Sequence, residues 1–127
     1  MRKFANAVSW FEIPVKDFSR AVTFYEMIFE TTLQVFPVNE VLKMALLPAE
    51  EGTVGGALVQ HPHFYRPSHD GTVVYLNANP DIQPVLDRLE KNGGKIIIPK
   101  RQISPDRGYM AVFEDCEGNR VALHSDK

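Results

Sequence analysis

The chain has 127 residues, enough for one compact domain or two very small halves sharing a core. Hydrophobic residues make up 44% and charged residues 24%, and 14 basic against 16 acidic residues exclude a broad electropositive surface that would draw in nucleic acid. No segment reaches membrane-spanning length, MRKFANAVSW lacks the apolar run of a signal peptide, and the single cysteine, Cys116, cannot form an internal disulfide. A cytoplasmic protein with no membrane or nucleic-acid partner is expected.

The first predicted strand is VSWFEIPV (8–15), with Val8, Trp10, Glu12 and Pro14 on one face and Ser9, Phe11, Ile13 and Val15 on the other. SRAVTFYEMIF (19–29) predicts a helix with Ser19 as N-cap and Ala21, Phe24, Tyr25 and Ile28 as its apolar stripe. TLQVF and VLKMALL read as strands around the turn PVNE, and PAEEGTVGG as a loop or mobile flap before the strand GALVQ. HPHFYRPSHDG (61–71) is a connector stiffened by Pro62 and Pro67. Its three histidines have no partner at a recognised zinc spacing, and Phe64, Tyr65 and Arg66 are candidate lid residues. The same order then returns. TVVYLNA (72–78) is a strand, and IQPVLDRLEKN (82–92) a helix capped by Asp81 and ended by Gly93 and Gly94. KIIIP, YMAVFED and RVALH are three more strands, joined by SPDRG and DCEGN. Each half therefore reads βαβββ. A shift of 62 lays Trp10 over Thr72, and a shift of 63 lays GGALVQH (55–61) over GNRVALH (118–124), matching the order of an internal duplication.

On FEIPVKDFSRAVTFYE, VFEDCEGNRVALHS and the repeat, the chain resembles the vicinal oxygen chelate superfamily, which includes glyoxalase I, extradiol dioxygenases, fosfomycin-resistance enzymes and bleomycin-binding proteins. The subgroup it looks closest to is that related to lactoylglutathione lyase. The resemblance implies an α+β fold, with two βαβββ modules (about 6–62 and 70–126) in one domain spanning 1–127. Their sheets would curl into a U-shaped trough with helices outside. Homodimerisation is a further implication, and the trough could be completed within one chain or across two.

In metal-dependent members a divalent ion in the trough is held by His, Glu or Gln and chelates two substrate oxygens. Carried over, those positions fall on Trp10, Val59, Thr72 and Ala122. An indole N–H only donates and the aliphatic side chains offer nothing. No metal and no cofactor is expected. Glu12, Gln60 and His124 are the polar candidates for contacting a ligand beside Trp10 and Thr72. Glu12 is either a trough carboxylate, and then a candidate general acid or base, or simply paired with a nearby Arg or backbone N–H. His124 is either in the trough or a solvated residue near the chain end. Cys116, flanked by carboxylates, is not a nucleophile. Two functions stand: metal-independent binding of a small molecule in the trough, or a metal-dependent lyase, isomerase or dioxygenase acting on a vicinal dioxygen substrate.

Overall fold

Residues Trp10–Pro14 form β1, and the chain then runs through α1 (Phe18–Phe29), β2 (Gln34–Pro37), β3 (Lys43–Leu46) and β4 (Gly55–Gln60). The order repeats as β5 (Tyr75–Asn77), α2 (Gln83–Leu89) with a single 3-10 turn at Glu90–Asn92, β6 (Lys95–Ser104), β7 (Gly108–Glu114) and β8 (Arg120–Ser125). The computed structural model describes residues 1–127, apart from the side chain of Pro37. Each βαβββ unit forms a four-stranded mixed sheet, β1-β4-β3-β2 and β5-β8-β7-β6. In each, the first strand runs parallel to the last, because a helix carries the chain back across the sheet before the meander begins. No helix among the described residues is long and apolar enough to cross a membrane.

The element order matches the sequence reading, but several ends move. The N-cap of α1 is Asp17, whose Oδ1 accepts from Arg20 N at 3.2 Å; Ser19 lies inside the helix. Asp81 is one residue ahead of the N-cap of α2, Ile82, although its Oδ1 still accepts from Gln83 N at 2.9 Å. Gly93, at φ 99°, stops that helix as expected. The fifth strand is only Tyr75–Asn77, not 72–78. The sixth continues past Pro99 to Ser104. Ile98 pairs with Val112 and Arg101 with Met110, so one extra residue is absorbed around Pro99, where a missing donor breaks the ladder.

One hydrophobic core serves both modules. Phe24, Tyr25 and Ile28 of α1 are buried with Ile13 and Leu58 of the first sheet, Leu86 and Leu89 of α2, and Phe113 and Leu123 of the second sheet. Each such side chain contributes about 1.5–3 kcal/mol by leaving water. The turn between β7 and β8 fastens the modules together. Asp115 accepts from the buried Tyr25 hydroxyl at 2.7 Å, and Asn119 Nδ2 donates to the Pro14 carbonyl at 2.8 Å. Glu117, with a side chain only 1% exposed, accepts from the Lys16 and Asp17 amides and from Arg20 Nη2 at 2.6 Å. A side chain from the second module thus satisfies the N–H groups of the two residues that lead into α1.

Candidate functional site

Strand pairing decides which side chains share the face turned away from the helices. In the first sheet Trp10 lies beside Gly55, Glu12 beside Ala57 and Pro14 beside Val59, while Ile13 and Leu58 point into the core. In the second, Tyr75 lies beside Ala122 and Asn77 beside His124, with Leu76 and Leu123 core-facing. Ala122 packs with Met110, Val112 and Val73 in a smaller apolar cluster on that face.

The first strands of the two modules border an open cleft of about 920 Å³. Trp10 and Gly55 line it from one module, Val73 through Asn77 from the other, and Phe29 and Thr31 close it at the end of α1. Among the described residues no charged side chain lines it. Trp10 is 43% and Tyr75 53% exposed, high values for large rings at a concave surface. Gly56 permits the wall to form. The Phe11 ring lies across its backbone, where a Cβ would collide with the ring.

The cleft unites two of the residues singled out from the sequence, Trp10 and Thr72. Glu12 is exposed instead of enclosed. Its Oε1 accepts from the Tyr65 hydroxyl at 2.6 Å and its Oε2 from Trp10 Nε1 at 3.3 Å. It therefore holds the cleft's indole from behind, paired with two side-chain donors and not with an Arg or a backbone N–H. Gln60 belongs to the opposite phase of β4: its Oε1 accepts from Phe18 N at 3.1 Å and caps α1. His124 has the trough-facing phase, but its Nε2 lies 2.7 Å from the Arg107 carbonyl, holding the β6–β7 turn. Thr72 precedes β5 and falls out of phase with Tyr75. The residues equivalent to Trp10 and Glu12 across the modules are thus Val73 and Tyr75. Sequence reasoning missed Tyr75, Asn77 and the Phe29–Thr31 wall. An aromatic alternating with an amide along a strand was the available signal for the first two.

These positions do not fit a divalent ion. Val59 and Ala122 are fully buried aliphatic groups and Trp10 offers only its donor. Among the described residues no three His, Cys, Asp or Glu converge as a metal site. The connector histidines separate likewise. His61 Nδ1 accepts from the His63 and Phe64 amides, and His69 Nδ1 stands 3.2 Å from Glu114 Oε2. Burial, followed by the charge of Asp115, pushes the Cys116 thiol up to about 11, which keeps it protonated and poorly nucleophilic.

Two βαβββ modules joined through one core, with a cleft between their first strands, define a paired-module α+β protein. The chain belongs to the glyoxalase/bleomycin resistance protein/dioxygenase superfamily, whose family model matches residues 7–123. Among solved structures it is similar to the trypanothione-dependent glyoxalase I of Leishmania major, at 17% identity and TM-score 0.70 over 96% of this chain and 88% of that one. It is also similar to TnmS3, an antibiotic binding protein from a Streptomyces species, at 18% identity and TM-score 0.64 over 99% and 100%. The hypothetical protein SA1046 from S. aureus aligns at 18% identity and TM-score 0.69 over 96% and 95%. At these identities the likeness is one of fold. The search of curated proteins returned no match.

Proposed function

We propose that this protein binds a small organic molecule in the cleft between β1 and β5 and holds it without a metal ion. The observation that carries the reading is the cleft itself. Its volume, about 920 Å³, lies within the range of small-molecule sites, and its walls are apolar with a few neutral polar groups at the edges. Two half-exposed rings flank it and gain from being covered. The antibiotic-binding relative gives this reading a precedent within the fold. A lyase, isomerase or dioxygenase working through a metal needs a donor set that Trp10, Val59 and Ala122, with Val73 in place of Thr72, do not supply.

Trp10 is the only tryptophan, so selectively excited tryptophan emission reports on the cleft wall. Titration with a library of organic compounds should give saturable quenching by some of them, and the quenching ligands should lose affinity in Tyr75→Ala. Saturable binding with Trp10 emission unchanged would place the ligand elsewhere and reject the reading. A homodimer and a cytoplasmic location belong to the same proposal. Exposed Val35, Phe36 and Val41 beside the outer edge of the first sheet support the dimer, which sedimentation would check. The free thiol of Cys116 accords with a reducing compartment.

A further inference from the structure

We infer that the cleft selects uncharged, flat aromatic molecules and rejects their carboxylate counterparts; this rests on the binding role proposed above. The chain carries 30 Asp, Glu, Lys and Arg side chains (14 basic and 16 acidic), yet among the described residues none lines the cleft. A ligand charge entering it leaves water and meets no counter-charge, which costs far more than burying a neutral polar group. The nearest carboxylate along β1, Glu12, already accepts from Tyr65 and Trp10 and adds only repulsion toward an anion.

The polar residues that line the cleft are neutral: Thr31, Thr72, Tyr75 and Asn77. Asn77 Oδ1 accepts from Asn79 N at 2.9 Å, which turns the amide N–H₂ into the group on offer. That set suits carbonyl and hydroxyl substituents on an aromatic body. Flatness follows from the walls. Trp10 and Tyr75 line the cleft as half-exposed rings, and the Phe11 ring laid across the Gly56 backbone adds a third aromatic side chain to the same wall. A Cβ at Gly55 would lie 3.6 Å from Trp10 Cζ3 and 3.5 Å from Ala49 Cβ, ordinary contact distances. The branches of a valine there would have to move the Trp10 ring or Ala49, so that substitution disturbs the wall of the cleft itself.

The test uses matched pairs, the carboxamide and the carboxylate of naphthalene, anthracene and anthraquinone, followed by Trp10 fluorescence and by thermal shift at pH 7.5. At least one carboxamide should bind, about tenfold or more tighter than its carboxylate. Thr72→Arg, at an exposed position, should bring the carboxylate to parity or better by supplying the missing cation. Gly55→Val should abolish binding of both while circular dichroism stays unchanged. Carboxylates binding as tightly as carboxamides, with Gly55→Val still blocking them, would overturn the selectivity while leaving the cleft as the binding site. Binding untouched by both Gly55→Val and Trp10→Ala would overturn selectivity and site together. Absence of binding by all six compounds would likewise overturn the selectivity inference.

Discussion

Burial of Cys116 reinforces what its flanking carboxylates already imply, a thiol that is not a nucleophile. The thiol is half-buried in the β7–β8 turn, and the low-dielectric surroundings, then Asp115, raise it to about 11. An acid whose affinity for its proton is raised keeps that proton to higher pH. At pH 8 about one thiol in a thousand is ionised, against about one in ten for an unshifted thiol of the same reference. A thiol reagent at pH 8 should therefore modify the native protein about a hundredfold more slowly than the urea-unfolded chain, and equal rates would show the turn to be open. The same scale governs the Tyr65–Glu12–Trp10 chain. Its hydrogen bonds lie near the surface, so Tyr65→Phe should cost only about 0.5–1 kcal/mol in urea denaturation. It should nevertheless alter Trp10 emission, because Glu12 loses the donor that fixes its carboxylate against the indole. An unaltered spectrum would mean that the chain does not position the ring.

Elements were legible where periodicity is local and illegible where pairing decides. The βαβββ repeat emerged because helix stripes such as Phe24, Tyr25 and Ile28, and alternations such as Trp10–Glu12 against Phe11–Ile13, each lie within a few residues. Gln60 went astray because alternation gives two faces without saying which one meets the helix; only the register beside Pro14–Val59 does. Thr72 went astray because β5 begins late, at Tyr75, so the extrapolated phase was wrong. The cap of α1 turned on a choice between Asp17 and Ser19. Asp17→Ala should lower stability by about 1 kcal/mol in chemical denaturation and Ser19→Ala by much less. The β7–β8 turn carries more. Asp115 accepts from Tyr25, from Asn119 Nδ2, and from the backbone amides of Glu117 and Asn119. Asp115→Ala strands these donors in a buried turn and should cost about 2–5 kcal/mol, well above Tyr25→Phe, which removes one bond of the set. Comparable losses in the two variants would show that the turn's backbone bonds do not depend on this carboxylate.

At the scale of the molecule, the cleft depends on two strands more than 60 residues apart in sequence, and no local pattern could announce that juxtaposition. The clamp from Asp115 and Glu117 to α1 fixes one module against the other, so the spacing of Trp10 and Tyr75 is a property of the shared core. Ligand that binds only the folded arrangement must then stabilise the whole chain. At a hundred times its dissociation constant the gain is about 2.7 kcal/mol, roughly a 10 °C rise in Tm for a chain of this size. A structural or catalytic metal would produce its own contribution, removable by chelation. The two sources separate in one experiment. Protein dialysed against a strong chelator should keep its Tm and its ligand affinity, because among the described residues no three His, Cys, Asp or Glu side chains converge on a metal site. A fall in Tm or affinity after chelation, reversed by adding back a stoichiometric divalent ion, would establish a metal site on donors other than these. Binding would then belong to a metal-assisted reaction rather than to simple capture in an apolar cleft.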